Sequence, residues 1–149
     1  MNHFNVRVYG LLINDQNQVL ITDEKRNGLS FSKFPGGGVE FGEGLHEALV
    51  REFIEELEIP ILVRDLYYVN NHLQISAFNS KQQLLAFYYF VNSLDKSRIT
   101  ILNDFFPLID DGEQPRWVKI EEELKNILTF PLDKIVAEKL VKFINNEEK

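Results

Sequence analysis

A glycine-rich segment in the first third of the chain constrains the fold more than any other feature. Five of the eight glycines lie between positions 36 and 44, and Pro35 directly precedes them. Glycine and proline are the two poorest helix formers, so this segment cannot be the interior of a helix. Successive glycines indicate unusual backbone angles or a ligand that approaches the backbone closely. We therefore expect a loop whose shape matters.

The residues that follow this loop carry a helical pattern. From about Gly44 to Leu57 the apolar residues recur with the spacing of an amphipathic helix, and Pro60 stops it. One predicted stripe faces the core and consists of Leu45, Ala48, Leu49, Phe53 and Leu57.

Most of the remaining chain has the pattern of strands. Alternating or apolar runs predict strands at 5–13 and 19–22, joined as a hairpin, and further strands at 61–70, 84–92 and 116–120. The run at 84–92 is apolar on both faces, which is typical of a central strand. Residues 23–34 and 103–115 are mixed and polar, and we expect them to be loops.

A second helix is predicted from about Pro131, because proline suits the first turn of a helix. Its expected inward residues are Ile135, Leu140, Phe143 and Ile144. The 149 residues contain no linker, repeat or low-complexity tract. The sequence therefore predicts a single α+β domain over residues 1–149.

Composition excludes several classes of site. The chain has no cysteine, and its three histidines are scattered, so thiol chemistry and a zinc site are not expected. No apolar stretch reaches the roughly 20 residues that a membrane span needs, and the first residues lack a signal-peptide pattern. We expect a cytoplasmic protein without a membrane partner. The net charge of −7 argues against a nucleic-acid polymer as partner.

That charge is concentrated in one place. Residues 40–58 hold seven glutamates and one arginine, so this segment carries a net charge of −6. Glu52, Glu55 and Glu56 fall on one face of the predicted helix, where like charges destabilise it by about 0.2–0.5 kcal/mol per pair. Either a divalent cation compensates these carboxylates, or the helix presents a solvated acidic face on which Arg51 pairs with Glu47 and Glu55. The helix alone leaves both interpretations open.

The spacing of the fixed residues resembles a known family motif. The segment 37–59 reads Gly37-x5-Glu43-x7-Arg51-Glu52-Phe53-x-Glu55-Glu56-x-Glu58-Ile59, which is similar to the Nudix box. Two positions depart from the box: Phe53 replaces an aliphatic residue, and Glu58 replaces a glycine. Glu58 either adopts a left-handed conformation at about 1 kcal/mol, or the helix ends differently.

The resemblance implies a fold and an activity. Nudix proteins have an α/β/α sandwich around a mixed β-sheet, and they hydrolyse a nucleoside diphosphate linked to another group. The substrate would be a small molecule such as a nucleotide sugar, an ADP-ribose-like compound or an NTP. The cofactor would be Mg²⁺ or Mn²⁺, and a homodimer is one assembly that the family suggests.

The resemblance also implies roles for individual residues. Glu52, Glu55 and Glu56 would ligate the metal and act in catalysis, with a carbonyl of Gly36 or Gly37 completing the coordination. Arg51 and Glu43 would be structural residues that orient these ligands. The general base would be Glu52 or a residue of the segment 104–114. In that segment we favour Glu113 slightly over Asp111, and Asp110 and Asp104 also remain open.

Substrate recognition lies outside the motif, and here the sequence is less specific. Arg7, Lys25, Arg26 and Lys33 could meet a phosphate, although each is also explained as a surface charge. Of these, Arg7, Arg26 and Lys33 are retained as weak substrate-binding candidates. The alternative function is a non-catalytic Nudix-like domain that binds a nucleotide as a sensor. The intact set of box glutamates argues against it, because such domains often lose them.

Overall fold

The computed structural model describes residues 1–94 and 101–146, and these residues contain seven strands and three helices. The α+β class predicted from the sequence is confirmed. The strands are β1 (His3–Leu12), β2 (Gln18–Arg26), β3 (Leu29–Lys33), β4 (Gly36–Gly38), β5 (Ile61–Val69), β6 (Gln82–Ser93) and β7 (Gly112–Lys119). The helices are α1 (Leu45–Leu57), α2 (Leu124–Ile127) and α3 (Pro131–Ile144). No helix in the described part of the chain is both long enough and apolar enough to span a bilayer.

The chain forms two compact units, each with its own sheet. The first unit comprises Met1–Leu11 and Pro35–Ile99, and its sheet has the strand order β4–β1–β6–β5. Strand β6 lies in the interior of this sheet, as its apolar residues on both faces predicted. Strand β4 consists of three glycines and pairs antiparallel with β1, so that Gly38 lies opposite Arg7 and Gly36 opposite Tyr9. The glycine run at 36–38, predicted as a loop from the sequence, is therefore a short edge strand.

Helix α1 belongs to the first unit and matches its predicted bounds closely. Four of its five predicted core residues are buried, and Leu45 is partly exposed. Glu52 is buried on the same helix with a relative exposure of 9%. A glutamate inside an apolar stripe needs partners that stabilise its carboxylate, since an unpaired buried charge is strongly unfavourable.

Both ends of α1 are fixed by hydrogen bonds. At the start, the Gly44 amide donates to Glu47 Oε1 at 3.1 Å, which satisfies a donor next to the first helical turn. At the end, Glu58 has φ 55° and ψ 31°, the left-handed conformation. The Glu58 amide donates to the Ile54 carbonyl at 3.0 Å, and the Ile59 amide donates to the Phe53 carbonyl at 3.2 Å. Glu58 thus takes the backbone role that the family pattern gives to glycine.

The second unit comprises Leu12–Phe34 and Thr100–Lys149, and its antiparallel sheet has the order β3–β2–β7. The prediction of a loop at 23–34 is wrong, because β2 continues to Arg26 and β3 follows. The polar residues of this segment form a strand because buried partners neutralise them. The Asp23 carboxylate, for example, accepts hydrogen bonds from Arg116 Nε and Ser32 Oγ, both at 2.6 Å.

Three further sequence predictions need correction. The predicted hairpin is reduced to its turn, since β1 and β2 belong to different sheets. The isolated bridge Ile13–Val19 and the hydrogen bond from the Asn14 amide to the Gln18 carbonyl at 3.0 Å join the residues between them. The loop predicted at 103–115 ends earlier, because β7 begins at Gly112. Helix α3 begins at Pro131 as predicted. Phe143 was predicted to face the core, but it is 45% exposed.

The buried face of α3 differs from the predicted one. Of the four predicted inward residues only Leu140 is buried, and the core side consists of Leu132, Asp133, Val136, Ala137 and Leu140. The Asp133 carboxylate accepts a hydrogen bond from the Phe34 amide at 3.2 Å, which orients the first turn. The prediction used apolar residues alone, so it could not identify Asp133 as a buried residue.

Candidate active site

Arg51 connects the glycine strand β4 and the loop that follows it to helix α1. Its Nε and Nη2 donate to the two carboxylate oxygens of Glu43 at 2.6 and 2.9 Å, and Nη2 also donates to the Gly38 carbonyl at 3.0 Å. Such a paired arginine–carboxylate contact is both strong and directional. The loop from Gly38 to Glu43 is thus tied to the second turn of α1.

Glu43 is held in its charged form by this arrangement. Its carboxylate accepts hydrogen bonds from Arg51 and, at 2.9 Å, from the Glu40 amide. These hydrogen bonds, that from Arg51 first, lower the pKa of Glu43 to about 2 from an ordinary value of 4.5. The same contacts raise the pKa of Arg51 above its ordinary value. Both groups therefore remain charged throughout the neutral range.

Glu52 packs directly against the glycine strand. A Cβ atom on Gly37 would lie 2.5 and 2.6 Å from the two carboxylate oxygens of Glu52, so any side chain at position 37 would displace this carboxylate. Arg51 Nη1 donates to Glu52 Oε1 at 3.2 Å, and the Glu52 side chain is only 11% exposed. The glycine thus makes room for a shielded carboxylate beside the backbone.

The backbone conformation at position 36 requires a glycine. Its φ of +151° is accessible mainly to glycine, and a Cβ there would lie 2.8 Å from Tyr9 Cα. Both Gly36 and Gly37 are buried. Gly37 therefore allows a close approach of the backbone to the Glu52 carboxylate, whereas Gly36 allows a close approach of the backbone to β1.

The other two box glutamates differ in their surroundings. Glu55 is 57% exposed on its side chain, and its Oε2 accepts a hydrogen bond from Arg51 Nη1 at 3.1 Å. Glu56 is partly buried on α1. Within residues 1–94 and 101–146, no three His, Asp or Glu side chains converge in a geometry that could hold a metal ion.

The donor chemistry nevertheless fits a hard divalent cation. Glu52, Glu55 and Glu56 offer carboxylate oxygens within one helical turn, and the adjacent glycine backbone offers carbonyl oxygens, the ligands that Mg²⁺ and Mn²⁺ prefer. The room that Gly37 leaves for the Glu52 carboxylate supports this fit, because it keeps an oxygen donor shielded beside the backbone.

The second unit holds the remaining candidates for a catalytic base. Glu113 lies on β7 opposite Glu24 of β2, and its Oε2 atom is shielded from solvent. Asp111 instead accepts a hydrogen bond from the Asn27 amide at 2.8 Å in the turn between β2 and β3. Asp104 and Asp110 are exposed. Asp111 therefore has a local structural role.

Two of the three substrate-binding candidates surround Glu24, a buried residue that the sequence analysis missed. Glu24 Oε2 lies 3.3 Å from Lys33 Nζ, and Glu24 Oε1 lies 3.1 Å from Arg26 Nη2. Thr22 Oγ1 adds a hydrogen bond to the same carboxylate at 2.9 Å. The alternation Thr22-Glu24-Arg26 is the signal that could have revealed a strand with one charged face.

The third candidate, Arg7, lies in the first unit. It is on β1 opposite Gly38, and its Nε donates to the Tyr9 hydroxyl at 2.7 Å. Lys25, also considered from the sequence, donates to the Ile109 carbonyl at 3.0 Å.

Comparison with known proteins agrees with this fold. A NUDIX hydrolase from Nitrosomonas europaea has a TM-score of 0.71 at 21% identity, covering 98% of this chain and 92% of that chain. The Escherichia coli ORF135 protein has a TM-score of 0.70 at 20% identity, covering 97% and 94%. A MutT structure from work on Aliivibrio salmonicida and Vibrio cholerae has a TM-score of 0.58 at 27% identity, covering 95% and 99%.

No curated protein matches the sequence. The family model described as the NUDIX domain, however, matches residues 3–139, which is most of the chain. The chain therefore belongs to the NUDIX domain family.

Proposed function

We propose that this protein is a divalent-metal-dependent hydrolase that cleaves the pyrophosphate bond of a nucleoside diphosphate linked to another moiety. The observation that carries the proposal is the Glu52 carboxylate held against Gly37, with Arg51 joining it to the glycine loop. These contacts support the proposal, because the Glu52 carboxylate, the Arg51 guanidinium and the backbone of the glycine strand lie together within the first unit.

Glu52, Glu55 and Glu56 would hold Mg²⁺ or Mn²⁺ together with a carbonyl of Gly36 or Gly37. When bound, the cation supplies charge for the diphosphate oxygens and lowers the pKa of a coordinated water molecule. Arg51 keeps the carboxylates of Glu52 and Glu55 on one side of α1 by offsetting their mutual repulsion. Glu43 in turn fixes the guanidinium of Arg51, so it acts on the site only through that residue.

A general base accepts the proton of the attacking water, and the candidates in this chain are carboxylates. Glu52 is one candidate, and Glu113 on β7 is the other. The hydrogen bond between Asp111 and the turn at Asn27 supports Glu113 over Asp111, because that bond commits the Asp111 side chain elsewhere. The decisive comparison is the pH profile of kcat in Glu113→Gln, which loses its acidic limb only if Glu113 is the base.

The test of the proposal is Glu56→Gln. The variant and the wild type are incubated with Mg²⁺ or Mn²⁺ and a panel of nucleotide sugars, ADP-ribose, NADH, dinucleoside polyphosphates and NTPs. We expect turnover to fall by roughly 10²-fold or more while the circular dichroism spectrum is unchanged. Glu138→Gln is the matched control, since Glu138 is an exposed helical glutamate on α3 and is expected to leave turnover unchanged.

Full activity of Glu56→Gln, or activity that survives EDTA, would contradict the metal assignment. If the wild type binds a nucleotide of the panel but hydrolyses none, the sensor function is favoured instead.

A further inference from the structure

The turn between β2 and β3 consists of Asn27 and Gly28. The last pair of the two strands is Arg26 with Leu29, so only these two residues form the loop. Asn27 has φ 51° and Gly28 has φ 80°. Positive φ at both central positions is typical of a type I′ turn, for which Asn-Gly is a preferred sequence. Both residues of the turn are exposed to solvent.

The same dipeptide can react with itself. Glycine has no Cβ, so its backbone nitrogen can approach the side chain of a preceding asparagine closely. Attack of the Gly28 nitrogen on Asn27 Cγ, with loss of the amide proton, closes a succinimide ring and releases the side-chain nitrogen as ammonia. Water then opens the ring and leaves aspartate or isoaspartate at position 27. Water is the only reagent, and the turn is exposed to it. Asn27-Gly28 is the only Asn-Gly pair in the sequence.

The Asp111 carboxylate holds both backbone amides of this turn. The Asn27 amide donates to Oδ2 at 2.8 Å, and the Gly28 amide donates to Oδ1 at the longer distance of 3.5 Å. A negative charge beside the Gly28 amide opposes the loss of its proton. The two contacts also restrict the backbone rotation that would bring the Gly28 nitrogen to Asn27 Cγ. Both effects oppose ring closure.

Asp111 is itself held beside the turn by its chain neighbours. The Ile109 carbonyl accepts a hydrogen bond from Lys25 Nζ at 3.0 Å, and Gly112 lies opposite Lys25 in the pairing of β2 with β7. All of these residues belong to the second unit. The carboxylate is therefore fixed on both sides along the chain, independently of its contacts with the turn.

We propose that Asn27 is a site of spontaneous deamidation and that the Asp111 carboxylate slows this reaction in the folded protein. Deamidation places a new carboxylate at position 27, close to Asp111, and like charges at short distance repel each other. Isoaspartate also lengthens the backbone of the turn by one methylene group. The modification would therefore weaken the contact between the turn and the start of β7. This inference does not depend on the proposed hydrolase function.

The test follows the mass of one peptide. Trypsin cleaves after Arg26 and after Lys33, and in the peptide 27–33 the only side-chain amide is that of Asn27. Wild type and Asp111→Ala are incubated at mildly alkaline pH, digested, and analysed for the mass gain of an amide converted into an acid. We expect this gain to accumulate severalfold faster in Asp111→Ala. Isomerisation of Asp111 does not interfere, because it leaves the mass unchanged and lies in another peptide.

Two control variants separate the carboxylate from its surroundings. Asp110→Ala removes the neighbouring exposed acid, and Lys25→Ala removes the hydrogen bond to the Ile109 carbonyl. Both are expected to deamidate at the rate of the wild type. In urea, where the turn is no longer folded, the wild type and Asp111→Ala should react at the same rate, and this rate should exceed the native rate of the wild type.

Equal native rates in the wild type and Asp111→Ala would overturn the role of Asp111, and so would an equal acceleration by Lys25→Ala. An unchanged mass of peptide 27–33, even in urea, would overturn the assignment of Asn27. Circular dichroism checks that the variants are folded. If Asp111→Ala does not fold, Asp111→Asn replaces it, since it keeps an oxygen acceptor, loses only the charge and should also deamidate faster than the wild type.

Discussion

At the scale of single residues, Arg51 connects several parts of the candidate site. It donates to Glu43, Glu52, Glu55 and the Gly38 carbonyl, so one side chain joins the loop, the helix and two of the proposed metal ligands. Like charges on one helix face would otherwise destabilise α1. Arg51 is therefore needed to stabilise the helix that carries these glutamates, in addition to orienting their carboxylates.

The pair of Glu43 and Arg51 predicts a specific dependence of stability on pH. Because the folded pKa of Glu43 is about 2 and its ordinary value is 4.5, its contribution is fully present above pH 4.5 and is lost as the pH falls through 2. We expect the free energy of unfolding to fall less steeply between pH 4.5 and 2 in Glu43→Gln than in the wild type. Urea unfolding across this range measures the difference, and identical slopes would contradict it.

At the scale of elements, helix α1 was predictable, whereas the continuation of β2 beyond Thr22 and the whole of β3 were not. Features close together in the sequence predict this helix. They are the spacing of its buried apolar residues, Ala48, Leu49, Phe53 and Leu57, and Pro60 beyond its end. The strand residues Asp23 and Glu24 look like loop residues until their partners are known. Arg116 is 93 positions from Asp23, and no local pattern connects them. The same limit applies to Asp133 and Phe34, which are 99 positions apart.

The end of α1 predicts a stabilising substitution. Glu58 has a left-handed conformation, which glycine adopts without strain. We expect Glu58→Gly to raise the free energy of unfolding by about 0.5–1 kcal/mol. The matched control is Glu138→Gly in the interior of α3, where glycine should lower it by about 1 kcal/mol. Urea midpoints of both variants measure the effect, and changes of the same sign would contradict this account.

At the scale of the whole molecule, the net charge of −7 is mostly a property of one segment. Residues 40–58 carry −6, and within them Arg51 offsets only part of the charge. The Nudix motif could be recognised from the sequence because its glutamates, arginine and glycines are close together in the chain.

The concentration of charge predicts a response to divalent cations. We expect MgCl₂ to raise the Tm of the wild type, since a ligand that binds only the folded state stabilises it by about 2.7 kcal/mol at a concentration of 100 Kd. The rise should be smaller in Glu56→Gln. Thermal unfolding in KCl of equal ionic strength is the control, and an equal rise in KCl would show that screening alone is responsible.

The contact between Glu43 and Arg51 also bears on the order in which the chain becomes structured. The two residues are eight positions apart, whereas Asp23 and Arg116 are 93 apart. Closing the shorter loop costs about 2 kcal/mol less in chain entropy. The acidic loop can therefore become ordered as soon as α1 forms, before the long-range pairing of β2 with β7. The contact that ties the loop to α1 is thus encoded within the motif itself, whereas the glycine strand β4 also needs its pairing with β1.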